Sequence, residues 1–252
     1  MSKLKSKDQR RFVSLIGTLN FRDLGGYPTT DGKYTQWGKY FRSDSIDRLP
    51  LESQKALIQK GIGLIIDLRY PHEDPYSFYE ELGIKYVNIP FLNPVKIKEE
   101  APKSLLELYC NIIDKNQKSI YQVIQHFIAE KDKAVLFHCA AGKDRTGIFA
   151  ALLLDLVGVS QQMIAENYAL SATYLHPQLE ERWRKLSVRY GIVDKAILDS
   201  EPETMLAFLQ YINKKYKNTE GYLKEIGIEN WEIKLLKKKF IGNETNGINT
   251  EV

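Results

Sequence analysis

Apolar positions along the chain fall into short runs of two kinds. "IGLIIDLR", "GIKYVNIP" and "AVLFH" are continuous or alternating apolar stretches of strand length, ending at Asp67, before Pro90 and at His138. Between and after them the spacing changes to three and four, the period of helices with one buried face. "LPLESQKALIQKG" predicts a helix stopped by Gly61, and a second helix is expected from about Ser119 to Glu130. Beyond Arg145 the pattern is helical throughout. "GIFAALLLDLVG", "SQQMIAENYALSATYL", "PQLEERWRKLSVRYG" and "PETMLAFLQYINKKY" read as successive helices, followed by "GYLKEIGIENWEIKLLKKKF" and a polar tail from Gly242. Strands alternating with helices indicate an α/β domain with a mainly parallel central sheet flanked by helices, here with a helical C-terminal half.

The first fifty residues are different. "GTLNFRDLGGYPTTDGKYTQWGKYFRSD" is dense in Gly, Asp, Pro and aromatics, and predicts turns around two short strands with Trp37-Gly38 as the reversal. Gly25-Gly26 is expected to supply positive φ at a tight turn. No internal repeat or Pro/Ser-rich linker divides the chain, so residues 1–241 are expected to form one domain, with 242–252 as a tail. The segment 91–116 is expected to be a helical insertion or lid over one edge.

Composition narrows the classes. Hydrophobic residues make up 43% and charged residues 27%, which fits a globular chain with a real core. A net charge of +4 is too small for a dedicated nucleic-acid binder, although "MSKLKSKDQRR" and Lys237–Lys239 are locally basic. The apolar run "IFAALLLDLVGV" is too short to span a bilayer and is interrupted by Asp155, so no integral membrane segment is expected. With two cysteines, Cys110 and Cys139, and no recognisable cleavable signal, the expected location is the cytoplasm; secretion by a route without a cleavable signal peptide stays open. Oligomeric state is not legible.

The chemistry concentrates in "VLFHCAAGKDRTG", Val135 to Gly147. A strand ends in a turn of small residues, and a helix begins there, presenting free amides and a positive dipole end. Ala140, Ala141 and Gly142 would let backbone amides wrap an anion, and Arg145 supplies a planar fork for a tetrahedral oxyanion. In that field Cys139 is expected to be a thiolate nucleophile. Attack on phosphorus through a phosphocysteine intermediate follows, with Thr146 hydrogen-bonding the departing sulfur. His138 is expected to fix the loop backbone. A Walker A loop is excluded by Phe137 and Asp144 at the required positions, and His138-Cys139 alone makes no metal site. Cys110, in "LLELYCNII", reads as a buried structural thiol.

"HCAAGKDRTG" resembles the signature of the cysteine-dependent phosphatases, specifically the bacterial tyrosine-phosphatase family with Lys and Asp inside the loop. "NFRDLGGY", "YFRSDSIDRL", "IIDLRYPHE" and "YLKEIGI…IKLLKKKF" extend the resemblance over nearly the whole chain. It implies a phosphatase-type α/β fold, neither metal nor cofactor, and activity on phosphotyrosine; similar enzymes also act on phosphoserine/threonine and phosphoinositides. The final helix departs from the family's "LR" pattern with Leu236-Lys237.

A leaving group needs a proton, and two carboxyls are candidates. Asp67, ending its strand in "DLR", is preferred as general acid over Asp144 within the loop, the alternative for Asp67 being a pairing with Arg69 or Arg22. Asp144 would repel phosphate unless neutralised by Lys143 or Arg69, or protonated. Lys143 is either a third phosphate-facing cation or a solvated lysine at a helix start. Arg22 and Arg42 are expected to brace the loop through buried ion pairs or to contact substrate. The leading expectation is a phosphotyrosine protein phosphatase with possible breadth toward phosphoserine/threonine. A phosphoinositide phosphatase is the alternative, and a catalytically silent phosphate-binding module the third.

Overall fold

The computed structural model describes residues 10–71, 79–91, 102–190 and 199–241, with 176–180 and 182–190 as backbone alone. The described strands are β1 (Arg22–Asp23), β2 (Tyr40–Ser43), β3 (Ile62–Asp67), β4 (Lys85–Asn88) and β5 (Ala134–His138). They form one sheet in the order β1-β2-β5-β3-β4, parallel except for β1. The most apolar strand, β5, is central and buried at every position, as a strand covered on both faces must be.

Eight helices are described: α1 (Leu51–Gln59), α2 (Leu105–Lys115), α3 (Gln117–Ala129), α4 (Asp144–Leu156), α5 (Gln161–Tyr190), α6 (Pro202–Tyr216), α7 (Thr219–Glu225) and α8 (Asn230–Ile241). Ten of the thirteen residues of α4 are buried, because α2, α5 and α7 pack around it. On one face of the sheet a large cluster joins Phe137, Phe149 and Phe127 to the helical half; on the other, Leu57, Ile65 and Leu136 form a smaller one.

The parallel strands of an α/β fold deliver their C-terminal ends, and the loops after them, to one edge. Here that edge collects Ser43–Asp44, Asp67–Leu68 and the turn from Cys139 to Lys143. A further hairpin reaches it. Phe12 bridges Arg22 and the Val13 amide donates to the Phe21 carbonyl, so the intervening loop 14–20 stands beside the turn after β5.

Three expectations change. The helices expected on either side of Pro177 are one, α5, running through it. A proline removes one backbone bond without obliging the chain to stop, and α5 is already committed by a buried face that includes Ile164, Ala165 and Tyr168. Within 91–116, the helical part is α2, which buries Tyr109, Ile112 and Ile113 against the helical half; residues 92–101, like 1–9 and the tail from 242, lie outside the described residues. At Gly25-Gly26 only Gly26 has positive φ (+72°), yet Trp37 packs so closely that a Cβ on either glycine would meet it within 2.5 Å. Close approach accounts for Gly25, and both close approach and conformation for Gly26.

Candidate active site

Five successive carbonyls define the turn after β5, and three of them are held by residues from the first fifty positions of the chain. The Cys139 carbonyl lies 3.3 Å from His138 Nδ1. The Ser45 amide donates to the Ala140 carbonyl at 3.0 Å, and Asn20 Nδ2 donates to that of Ala141 at 2.9 Å. Arg42 Nη2 donates to the Gly142 carbonyl at 2.7 Å and reaches that of Lys143 at 3.5 Å. A peptide plane with its oxygen fixed outward has its N–H on the opposite side, so the turn presents amides to a common centre. That is the arrangement an anion nest at a helix N-terminus requires. Gly142 permits it, with φ at +64° and no room for a side chain: a Cβ would lie 2.3 Å from the Ser43 carbonyl oxygen.

Cys139 ends up buried at the base of this turn. Arg145, in the first turn of α4, is half-buried, and its Nη1 approaches the Leu68 carbonyl at 3.4 Å. The Thr146 hydroxyl is buried without a hydrogen-bond partner. Among the described residues it has no partner, and a native fold keeps such an orphan rarely and at a cost of about 1–3 kcal/mol.

Arg42 and Arg22 both brace, but Arg42 does not do so through an ion pair. It is 1% exposed; besides the two loop carbonyls, Nη1 donates to Asn167 Oδ1 at 2.7 Å, and no carboxylate among the described residues lies on it. Burial, followed by the adjacent Arg22 charge, works against its cation. Arg22 donates to the Asn20 carbonyl and side chain, the Asn167 carbonyl and Ser171 Oγ, holding the hairpin that carries Asn20. Asp44, also buried, accepts the Leu19 and Asn20 amides. Asn20 and Asn167 were not expected. Asn20 sits inside a motif already singled out. Asn167 carried a signal: with Ser171 it puts two polar residues on the apolar, buried face of α5.

The two candidate acids occupy unlike environments. Asp67 is 1% exposed and fully engaged: it accepts the Arg69 amide and Nε at Oδ1, and Arg69 Nε, Arg69 Nη2 and the Tyr86 hydroxyl at Oδ2. Burial raises its carboxyl, but His138 and Arg69 outweigh burial and hold it below its ordinary value. Because burial itself drives His138 toward neutral imidazole, Arg69 is the lasting counter-charge. Arg69 also grips Asp47 and reaches Ser45 Oγ, so the loops after β2 and β3 are tied together there. The Arg69 pairing favours the ionised form of Asp67, which weighs against it as the acid.

Asp144 opens α4 and is partly exposed. Its Oδ1 accepts Lys143 Nζ at 2.7 Å and the Tyr109 hydroxyl at 2.5 Å, and Tyr109 meets the Tyr168 hydroxyl at 2.6 Å. Lys143 is 2% exposed and also donates to the Asp199 carbonyl, so it is not a solvated lysine. The turn thus brings together Cys139, the loop amides, Arg145, Thr146 and Asp144; Asp67, Arg69, Arg22, Arg42 and His138 surround it as framework. Cys110 is half-buried in α2, and its thiol is pushed up to about 11 by burial, then by the Asp114 charge. Among the described residues no cluster of His, Cys, Asp and Glu could hold a metal ion, and no helix is long and apolar enough to cross a membrane.

The chain is similar to a tyrosine-protein phosphatase of Nostoc commune, 34% identical over 213 residues that cover 79% of this chain and 72% of that one. It is 23% identical to the triple specificity protein phosphatase PtpB of Mycobacterium tuberculosis, over 90% of this chain and 98% of that one. Among solved structures, P. aeruginosa TpbA matches 57% of this chain and 83% of its own at 16% identity and a TM-score of 0.38. Residues 13–242 match the tyrosine phosphatase family, and with the thiol, the amide nest and the arginine in one turn, the chain belongs to that family.

Proposed function

We propose that this enzyme removes phosphate from phosphotyrosine in proteins, with Cys139 as nucleophile, the 140–145 turn and Arg145 as phosphate clamp, and Asp144 as general acid. The observation that carries the assignment is the holding of three consecutive loop carbonyls from outside the turn, which leaves the turn's amides for the phosphate oxygens. Cys139 Sγ attacks phosphorus in line as the P–O bond to tyrosine breaks, and Asp144 delivers its proton to the leaving phenolate oxygen. Water then attacks the phosphocysteine, Asp144 takes its proton, and the P–S bond breaks to release inorganic phosphate. Thr146 donates its otherwise orphaned hydroxyl to the sulfur as it departs with the electron pair. Preorganised amides and Arg145 stabilise the charge on the equatorial oxygens without reorganising at the moment of reaction.

Phosphoserine and phosphothreonine leave as alkoxides, which need the proton more, so breadth toward them depends on Asp144. The phosphoinositide alternative rested on Lys143 and the basic N-terminus; the Lys143 ammonium is engaged by Asp144 and the Asp199 carbonyl, and we place this reading second. Both cysteines are free, in keeping with the reducing cytoplasm we assign.

Asp144→Asn and Asp67→Asn, assayed on aryl phosphates of graded leaving-group pKa, test the acid. Loss of the true acid costs about 10²–10⁴-fold with poor leaving groups and far less with good ones. That slope is expected for Asp144→Asn, with a uniform loss for Asp67→Asn. The reverse pattern restores Asp67, and turnover surviving in Cys139→Ser sinks the phosphocysteine route.

A further inference from the structure

The partly exposed carboxyl of the turn is held by a tyrosine that the phosphocysteine route does not use. Tyr109, in α2, is fully buried, and its ring stands edge-on to those of Tyr168 and Phe208, with centroids 6.1 Å apart in each pair. A phenylalanine would pack there equally well, so the hydroxyl serves its bonds. It donates to Asp144 Oδ1 at 2.5 Å and meets the Tyr168 hydroxyl at 2.6 Å. A phenol has one proton to give. With that of Tyr109 given to Asp144, Tyr168 must donate to Tyr109, and the two hydroxyls form a directed chain that ends on the carboxyl. Burial, then the Asp144 charge, pushes both phenols above their ordinary value, so both remain donors.

Lys143 Nζ donates to the same carboxyl oxygen at 2.7 Å. A carboxylate oxygen has two lone pairs, and on Oδ1 both are then taken. An acid proton therefore belongs on Oδ2, which accepts nothing from the described residues, while the Asp144 side chain keeps 29% of its surface accessible. Asp144 opens α4 directly after the turn, so the orientation of this one carboxyl decides whether its proton faces the leaving oxygen or the protein. Lys143 holds it at the end of a flexible four-carbon stem. Tyr109 holds it from a rigid ring locked among aromatic neighbours.

We propose that Tyr109 is a positioning residue for phosphoryl transfer: by holding Oδ1 it turns the protonated Oδ2 of Asp144 toward the leaving-group oxygen, and Tyr168 orients Tyr109 in turn. The proposal rests on Asp144 as the general acid. It gives α2 a part in the chemistry, since the buried face that packs Tyr109, Ile112 and Ile113 against the helical half also carries the donor. Tyr109 acts through Asp144, not on the phosphate or the sulfur.

The test compares Tyr109→Phe, Tyr168→Phe, Asp144→Asn and the double variant Tyr109→Phe/Asp144→Asn with wild type. The substrates are para-nitrophenyl phosphate and phenyl phosphate, whose leaving group needs the proton more. The readout is kcat/KM, which reports transfer of phosphate to the thiol. Tyr109→Phe is expected to lose about 10–100-fold on phenyl phosphate, the order set by a misplacement of up to ~1 Å. On para-nitrophenyl phosphate its loss should stay below about threefold, which also shows that the fold is intact. Tyr168→Phe removes a hydroxyl from the same buried pair but leaves the donor on Asp144, and should stay within about threefold of wild type on both substrates. Because Tyr109 acts through Asp144, adding Tyr109→Phe to Asp144→Asn should cost no more than about twofold further. Four results overturn the proposal: equal losses on the two substrates for Tyr109→Phe, no loss at all, the same leaving-group-dependent loss in Tyr168→Phe, or full additivity in the double variant. If Asp144→Asn itself shows no leaving-group dependence, the acid assignment has failed and the proposal falls with it, a result distinct from a sound acid that is indifferent to Tyr109.

Discussion

Replacing Arg42 by methionine keeps most of the side-chain volume and removes the charge and every donor. Two opposed effects follow. The Gly142 carbonyl and Asn167 Oδ1, each held at 2.7 Å, are buried acceptors that lose their donor. At about 1–3 kcal/mol each, the loss is roughly 2–6 kcal/mol. Against this, a buried guanidinium beside a second buried arginine, with Cys139 rather than a carboxylate as its first facing anion, carries a desolvation penalty of several kcal/mol, which methionine removes. The net loss of stability is therefore expected to be about 3 kcal/mol or less. Catalysis has no such compensation. Once the Gly142 and Lys143 carbonyls are free to turn, the amides they oppose leave the phosphate centre, and a displacement of about 1 Å is enough to cost on the order of 10²-fold. Urea unfolding gives the stability and kcat/KM on an aryl phosphate gives the rate. Arg42→Lys keeps the charge but not the fork, and should stay nearer the methionine variant than wild type in rate. Activity of Arg42→Met within threefold of wild type, or a stability loss above about 5 kcal/mol, would refute the reasoning, the second because the charge would then have been well compensated.

Thr146→Val should leave stability unchanged or raise it by about 1–2 kcal/mol, because it deletes a buried hydroxyl without a partner. The same change should slow dephosphorylation of the intermediate, seen as a larger burst before a slower steady state. Gly142→Ala should lower both stability and activity, since it combines a left-handed backbone with a clash on the Ser43 carbonyl; urea midpoints and kcat/KM report both. Asp23 is raised from 3.8 to about 6, chiefly by burial and against the amide bonds from Gly38 and Gly25. Between those values the folded state binds a proton that the unfolded state has lost, so stability falls as pH rises. Asp23→Asn should therefore gain about 3 kcal/mol relative to wild type between pH 4 and 7, read by urea titration at both ends. Asp67 has the opposite sign: its depressed carboxyl adds stability above its ordinary range that disappears as pH falls through it, so Asp67→Asn should cost least in acid.

Local features of the site were legible, and long-range ones were not. Strand β5, the small-residue turn and the start of α4 follow one another in sequence, so Cys139, Arg145 and Thr146 could be assigned from spacing and dipole alone. Arg42 and Asn167 meet across 125 positions, and nothing in either neighbourhood announces the other; only an unexplained polar residue on a buried helical face hinted at it. The two aspartates could not be told apart in the sequence for a related reason. Both lie at a strand or helix end near the mouth, and the difference is made by Arg69 folding back onto Asp67 and by Tyr109 arriving from α2. Lys143 read equally well as ligand or solvated side chain until Asp199 and Asp144 enclosed it. Pro177 was taken as a boundary because a local rule favoured one, while the packing of α5 decided otherwise.

The catalytic turn borrows its shape from the other end of the chain. Ser45, Asn20 and Arg42 hold three consecutive carbonyls that lie 95 to 121 positions later in sequence. On the ribosome the mould is therefore made first and the casting second: the hairpin and β2 emerge long before the cysteine they will shape. Until those contacts close, the segment around Cys139 is an ordinary flexible thiol-bearing stretch with no fixed nest. Reactivity is thus confined to the finished molecule, and dephosphorylating activity doubles as a report that the N-terminal hairpin and the middle of the chain have met.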